Sequence, residues 1–263
     1  MLTDYTIVVA RRGINDEGKG KKHALHRLIS EAQTEYVHLM DDDVVPPPTM
    51  PDTDADMVIL PLRMESENEH PNLIERLQTA EYAAIQSLTI LTAKKGHAVM
   101  CSGANLLVRR ERWLESYPDL HPETASGDDM FLLESFKRRG LVIAVAESPV
   151  YEATVRPLPS LRALLRQRMR WAGKAPVYRD RDIRLCGMIV VAANLLQLLC
   201  PPVLLLKFPF EYLLIRQREK QYQRKGSSLL VVLLLELLYP FYMLVCLSGG
   251  IIARNGQKES PSF

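Results

Sequence analysis

The chain has 263 residues, of which 47% are hydrophobic and 24% charged, so it is neither disordered nor collagen-like, and we expect one or two folded domains. Its 33 basic and 31 acidic residues leave a formal charge of +2, and no strong overall field indicates binding to nucleic acid. The four cysteines are far apart and lack metal-ligand spacing, which excludes a secreted disulfide scaffold.

The first 184 residues alternate between strand and helix patterns, which is typical of an α/β domain. Because such alternation usually builds βαβ units, we predict a largely parallel sheet that binds ligands outside the carboxyl ends of its strands. The predicted strands are residues 5–10, 36–40, 56–62, 104–108 and 141–146. The predicted helices are residues 21–32, 72–93, 129–138 and 161–171.

Two apolar runs follow this domain. Residues 185–206 carry no charge, and residues 229–247 carry only Glu236. Each run is close to the roughly 20 residues that a membrane helix needs. A buried core helix is the alternative, but soluble helices need a polar face and these runs have almost none. We therefore interpret both runs as membrane segments.

The flanks of the first run predict its path. Nine basic and two acidic residues precede it at 156–184, and six basic and two acidic residues follow at 207–225. A single crossing would place one basic flank outside, against the positive-inside rule. Two prolines at 201–202 interrupt the run, and proline breaks a helix. We therefore predict that residues 185–215 turn back as a re-entrant segment or short helical hairpin and pack on residues 229–247.

An acidic run follows the predicted strand 36–40. Asp41, Asp42 and Asp43 are adjacent, so they repel one another unless a cation lies among them. Oxygen ligands of this kind suit Mg²⁺ or Mn²⁺, which also bind substrate phosphates. Asp41 and Asp43 are spaced so that both can reach one metal ion, directly or through water. The alternative is a solvated acidic turn before three prolines.

A second acidic pair, Asp128 and Asp129, follows Ser126-Gly127 and opens a predicted helix. Ser and Asp are common at helix N-termini, so capping alone explains the pair. The alternative is catalysis, because a carboxylate in such a loop can act as a general base on a hydroxyl.

The predicted helix 161–171 carries a third pattern. Gln167, Arg170 and Trp171 occur at i, i+3 and i+4, so they share one helix face. Arginine offers planar donors to phosphate, and tryptophan offers a stacking surface. A basic juxtamembrane helix with an interfacial Trp is the alternative. The run of glycine and lysine at residues 18–22 is a weak phosphate-loop signal that lacks the Walker spacing.

The order of these motifs resembles the membrane-associated family 2 glycosyltransferases, a group that includes cellulose- and hyaluronan-synthase-like enzymes. The matching segments are GKKHAL (20–25), LMDDDVVPP (39–47), CSGANLLVRR (101–110), SGDDMFLL (126–133) and QRMRWAGK (167–174). The resemblance implies an α/β domain of the GT-A, Rossmann-like type at residues 1–155 and an interface helix at 156–184. Transmembrane helices at 185–252 and a polar tail at 253–263 would follow.

The same resemblance implies the activity and the roles of single residues. It predicts an inverting hexosyltransferase, dependent on Mg²⁺ or Mn²⁺, that moves a sugar from a UDP- or GDP-sugar to a glycan or lipid-linked acceptor. Asp41 and Asp43 would match the metal motif, Asp129 the catalytic base, and Asp128 the place usually held by Glu. The donor-binding residues would be Lys21, Asp41, Asp42, Gln167 and Arg170, and the acceptor-binding residues would be Gly103, Ala104, Asn105 and Trp171. The enzyme would act at the inner or plasma membrane, with its catalytic domain in the cytoplasm.

One departure from the family leaves a second hypothesis open. The family begins with a strand–helix–strand unit that holds the nucleotide base, and this sequence has no counterpart before Tyr5. We therefore expect an N-terminally incomplete domain. The alternative to an enzyme is a truncated non-catalytic pseudoenzyme, or a membrane-bound partner of a polysaccharide-assembly complex. Binding of anionic lipid by the basic helix alone would leave both acidic motifs unexplained.

Overall fold

The computed structural model describes residues 2, 4–9, 20–121, 127–222 and 226–259, with side chains up to residue 252. The predictions at Ala10, at residues 18 and 19 and at Ser126 lie outside the described residues. Two compact units divide the chain. One comprises Met1–Glu65 and Leu88–Arg156, and the other comprises Ser66–Ser87 and Pro157–Phe263.

Strands and helices alternate up to residue 155, and the elements described after it are helices. The strands are β1 (Tyr5–Val9), β2 (Tyr36–Met40), β3 (Met57–Ile59), β4 (Leu62–Met64), β5 (Leu106–Arg109), β6 (Ile143–Val145) and β7 (Ala153–Val155). The helices are α1 (Lys21–Glu31), α2 (Leu73–Lys94), α3 (Arg110–Ser116), α4 (Asp128–Arg138), α5 (Leu161–Ala172), α6 (Arg181–Leu199), α7 (Leu204–Gln221) and α8 (Leu229–Glu259). These bounds confirm the predicted β2 strand and the predicted α2, α4 and α5 helices to within one residue at each end.

The main sheet of the first unit is mixed, with the strand order β1-β2-β5-β3-β6. The β1–β2 and β3–β6 pairs are parallel, but β5 is antiparallel to both β2 and β3. The prediction of a largely parallel sheet is therefore wrong at the central strand. A buried strand is an apolar run whichever way it points, so the alternating pattern did not reveal this direction.

The predicted strand at 56–62 is also wrong as a single element. It is two short strands on either side of Leu60-Pro61. Proline has no N–H to donate to a sheet ladder, so a strand does not continue through it in a sheet interior. As a result β3 stays in the main sheet, whereas β4 pairs with β7 in a separate parallel ribbon.

Strand β2 lies next to the central strand and is mostly buried. Its first four residues are all buried, including the imidazole of His38. Burial lowers the pKa of His38 to about 4, although its hydrogen bond to Asn105 opposes this shift. The neutral ring donates from Nε2 to Asn105 Oδ1 at 2.8 Å, so the strand holds a polar pair within an apolar core.

The first apolar run of the second unit is broken where the sequence predicts. Helix α6 ends at Leu199, a short 3₁₀ turn spans Pro201–Val203, and α7 begins at Leu204. Lys207 Nζ then donates to Asn194 Oδ1 at 3.1 Å, although the two residues are 13 positions apart. A continuous helix would separate them by roughly 20 Å. The chain therefore folds back on itself at the prolines.

Two described helices are long and apolar enough to cross a membrane, Arg181–Leu199 and Leu229–Ile252. This property rests on length and composition, and it gives weak support for membrane association. The broken α6–α7 segment contacts α8 through Gln197, whose Nε2 donates to the backbone oxygen of Glu236 at 2.9 Å. The predicted packing of the first apolar run on the second is therefore confirmed.

Candidate functional site

The direction of β5 brings two sequence motifs to one edge of the main sheet. Leu39, near the end of β2, lies opposite Leu106, the first residue of β5. Because the strands are antiparallel, the loop that enters β5 lies beside the loop that leaves β2. Asp41 follows β2 and Gly103 precedes β5. The antiparallel strand that the sequence did not predict thus places the acidic run beside the predicted acceptor segment.

Lys21 joins the two acidic motifs of the first unit. It is the first residue of α1, and Gly20 before it has φ +88°, a left-handed conformation that favours glycine. Lys21 Nζ donates to Asp41 Oδ1 at 2.5 Å and lies 3.5 Å from Asp128 Oδ2. A single ammonium group therefore lies against carboxylates from both motifs.

The carboxylates also determine the charge state of Lys21. Burial disfavours its charged form, but the attraction of Asp128 and Asp41, with a smaller contribution from Asp129, outweighs burial and raises the pKa of Lys21. The side chain is therefore a fixed cation across the physiological pH range. We call Lys21, Asp41, Gly103, Asp128 and Asp129 the Lys21 cluster.

Asp128 and Asp129 occupy different environments within this cluster. They form the first turn of α4, where the helix dipole stabilises negative charge. Asp128 is buried against Lys21, whereas Asp129 is partly exposed. Asp129 Oδ1 accepts the N–H of Met130 at 2.8 Å, and its Oδ2 accepts the N–H of Gly103 at 3.3 Å. The second carboxylate is thus held by backbone donors and remains open to solvent.

Within the cluster, Gly103 packs closely against the charged side chains. A Cβ at this position would lie 3.3 Å from Asp128 Oδ2 and 3.8 Å from Lys21 Nζ. No left-handed φ restricts the position to glycine. The absence of a side chain therefore serves the packing of the charged groups rather than the backbone.

The other two predicted acceptor residues lie in the interior. Ala104 is buried, and Asn105 is only 1% exposed. Asn105 Nδ2 donates to the backbone oxygens of Pro61 at 2.7 Å and Tyr151 at 3.0 Å, and its Oδ1 accepts from His38. Asn105 therefore has a structural role, because it connects the start of β5 to β2 and to the loops that contain Pro61 and Tyr151. Contact of Asn105 with an acceptor sugar stays a prediction.

The predicted Gln167, Arg170 and Trp171 lie on α5 in the second unit. Arg170 is exposed, and Trp171 is 39% exposed. The structure adds Arg168, which the sequence did not single out and which is buried in an ion pair with Glu81. The two residues are 87 positions apart, so no local pattern pairs them.

Comparison with known proteins identifies the family. A family model described as "Glycosyltransferase like family 2" matches residues 2–174. The chain belongs to this family. The matched residues therefore form a domain of the family 2 glycosyltransferase kind.

The other comparisons add little to this assignment. A crystal structure of a mycobacterial protein matches with 19% sequence identity and a TM-score of 0.30, and the match covers 58% of this chain and 50% of that one. This chain thus spans about half the length of that protein. A search among curated proteins gives no match.

Family 2 glycosyltransferases generally use a divalent metal, and the acidic run has suitable chemistry for one. The Asp41 side chain is 41% exposed, and Asp42 and Asp43 are also exposed. Within the described ranges, no three His, Cys, Asp or Glu side chains are grouped to hold a metal by themselves. Mg²⁺ is commonly held by one or two carboxylates together with substrate phosphates. The carboxylates of Asp41 and Asp43 therefore have suitable chemistry to hold such a cation.

Proposed function

We propose that this family 2 glycosyltransferase transfers a hexose with inversion from a UDP- or GDP-sugar to a hydroxyl of a glycan or lipid-linked acceptor at a membrane. The observation that carries the proposal is the Lys21 cluster. It combines the acidic run after β2, the acidic pair that opens α4 and a permanent cation. Acceptor deprotonation needs a carboxylate, and a departing diphosphate needs positive charge beside it.

Asp129 is the carboxylate best suited to act as the base. Asp128 is buried and paired with Lys21, whereas Asp129 is partly exposed and accepts the backbone N–H groups of Gly103 and Met130. As the base, Asp129 takes the proton of the acceptor hydroxyl. The oxygen then bonds to the anomeric carbon on the face opposite the leaving group, and the diphosphate leaves with the electrons of the broken C–O bond. One protein base is enough for this inverting displacement.

Positive groups stabilise the departing diphosphate. In the first unit, the ammonium group of Lys21 would stabilise the negative charge of this leaving group. A Mg²⁺ or Mn²⁺ ion held by Asp41 and Asp43 would supply Lewis-acid stabilisation of the same charge. Within the first unit, Asp42 completes the proposed donor side, and Gly103, Ala104 and Asn105 the proposed acceptor side. For the second unit, the family resemblance assigns Gln167 and Arg170 to donor binding and Trp171 to acceptor binding.

The exposed apolar residues of α6, α7 and α8 support a membrane location. Leu199 is 84% exposed and Leu206 is 80% exposed, and a soluble surface rarely presents many such residues together. We place the catalytic domain at residues 1–155 on the cytoplasmic side of the inner or plasma membrane. The interface helix is 156–184, the membrane region 185–252 and the polar tail 253–263, as in the cellulose- and hyaluronan-synthase-like group.

The test uses the full chain in lipid nanodiscs, with hydrolysis of UDP- and GDP-sugars as a first screen. Asp129→Asn should lower transfer by about 100-fold or more, the usual contribution of a general base, and leave donor affinity within about twofold. Asp41→Asn should instead abolish the Mn²⁺-dependent part of UDP affinity. Asp54→Asn, an exposed carboxylate outside the cluster, is the matched control.

Two outcomes would contradict the proposal. Wild-type transfer by Asp129→Asn would assign the base to another carboxylate. Absence of hydrolysis and transfer with every donor would favour the non-catalytic partner instead.

A further inference from the structure

A buried ion pair within the second unit connects α5 to α2. Arg168 is 6% exposed and Glu81 is 5% exposed. Arg168 Nη2 donates to Glu81 Oε2 at 2.7 Å, and Nε lies 3.4 Å from Oε1. Two guanidinium nitrogens therefore face two carboxylate oxygens, which restricts rotation of the arginine as well as its position.

The remaining faces of the same guanidinium contact two residues of the predicted motif. Nη1 donates to Gln167 Oε1, and Cζ lies 4.1 Å from the centre of the Trp171 ring. Arg168 thus hydrogen-bonds to Glu81 and Gln167, and its guanidinium lies over the Trp171 ring. Lysine cannot reproduce these contacts, because its ammonium is a compact charge without a plane.

Close helix packing keeps α5 in place beneath this network. A Cβ on Gly250 of α8 would lie 2.7 Å from the backbone nitrogen of Gly173 and 2.7 Å from the backbone oxygen of Met169. Real side chains do not approach this closely, so the backbones of α5 and α8 touch only because the α8 residue is glycine. The C-terminal end of α5 therefore packs directly against the backbone of α8 at Gly250.

We propose that Arg168 is a positioning residue that holds Gln167 and Trp171 in the orientation needed to bind the substrates. Glu81 fixes the guanidinium, and the guanidinium fixes the indole, whose exposed part is left to stack on the acceptor sugar. This inference rests on the proposed function, because it deepens the role given to Trp171 there. It assigns a role to Arg168 and Glu81, two residues outside the motif pattern.

The decisive variant is Arg168→Lys, because it keeps a positive charge beside the buried Glu81 and removes only the planar contacts. Arg166→Lys makes the same change at an exposed arginine of α5 and is the matched control. Trp113 is 0% exposed and the chain has two tryptophans. Quenching by acrylamide, a neutral reagent, therefore reports mainly on Trp171, and it requires no activity.

We expect Arg168→Lys to remain folded and to raise the acrylamide quenching constant by about twofold, because the indole loses its stacking partner. The acceptor kcat/KM should fall by about tenfold while the donor KM changes less than about twofold. Arg166→Lys should match the wild type in all three measurements.

Wild-type quenching in a folded Arg168→Lys variant would overturn the inference, as would a loss shared equally by donor and acceptor kinetics. If Arg168→Lys fails to fold, the neutral pair Glu81→Gln with Arg168→Gln replaces it, since that variant buries no unpaired charge, and the same expectations apply. If the wild type transfers no sugar, the proposed function fails. The quenching measurement still tests the positioning of Trp171.

Discussion

Gly103 shows how one missing side chain shapes the Lys21 cluster. Its N–H donates to Asp129 Oδ2, and a Cβ at this position would point towards Asp128 and Lys21. A substitution that adds one carbon here acts on the charged groups, because the backbone conformation itself is open to any residue.

We predict that Gly103→Ala lowers transfer by about tenfold, a loss of about 1.4 kcal/mol of transition-state stabilisation. The added Cβ would lie 3.3 Å from Asp128 Oδ2, so this carboxylate must shift slightly, which disturbs the charges around the proposed base. Steady-state kinetics and thermal melting of the full chain check this expectation. Gly187→Ala, where a Cβ meets nothing within 4 Å, is the control. Unchanged kinetics for Gly103→Ala would show that the cluster does not need this spacing.

His38 makes the first unit sensitive to acid. Its pKa is lowered to about 4 by burial, from an ordinary value of 6.5. Below pH 6.5 His38 is protonated in the unfolded chain but stays neutral in the folded chain. The free energy of unfolding therefore decreases as the pH falls from 6.5 towards 4. At pH 4 this decrease in the free energy of unfolding amounts to ~3 kcal/mol.

We predict that His38→Gln, which keeps a donor for Asn105, flattens this part of the pH profile. Melting temperatures of the wild type and the variant at pH 7, 5.5 and 4.5 check the prediction. Their difference removes the contribution of other titrating groups. Parallel pH profiles for the two proteins would refute the assignment to His38.

Among the helices, a buried polar pair holds the α6–α7 hairpin to α8. Lys207 donates to Glu236 and to Asn194, and Glu236 is almost fully buried. An ionised residue inside apolar helices is tolerated only when it is paired. The single charge in the second apolar run is therefore explained by a partner on α7.

We predict that Lys207→Met destabilises the chain by about 3–5 kcal/mol, because it leaves Glu236 buried without a cation. The double variant Lys207→Met with Glu236→Leu should recover most of this loss, since it removes both charges. Melting in detergent of both variants beside the wild type provides the measurement. If the double variant is no more stable than the single one, the pair is not what holds the hairpin.

For the whole molecule, the fold-back at the prolines supports the proposed membrane topology. It allows both basic flanks of the first apolar run to stay on the cytoplasmic side, as the positive-inside rule favours. The remaining run, Leu229–Ile252, would then cross once and place the C-terminal tail outside.

We predict that Gln221→Cys, at the end of α7, resists an impermeant thiol reagent added to intact cells. A cysteine in the tail, Ser260→Cys, should react and serves as the positive control. Both variants are made in a chain without its four native cysteines. Labelling of Gln221→Cys from outside would show that the first run crosses the membrane and that the hairpin topology is wrong.

The sequence by itself determined the local features of this protein. The bounds of β2, the break at the two prolines and the helix that begins at the second acidic pair all follow from neighbouring residues. The acidic motifs were also recognisable, because their position after a strand or before a helix is local information. Family membership agrees with the order of these motifs along the chain.

The tertiary structure alone decided which distant residues meet. It set the direction of β5, which brings Gly103 beside Asp41, and it placed Lys21 between the two acidic motifs. It also buried Asn105 in the sheet edge and paired Arg168 with a glutamate 87 positions away. Hydrophobic periodicity specifies which face of an element is buried but not which partner covers it. That choice depends on packing and charge pairing across the whole fold.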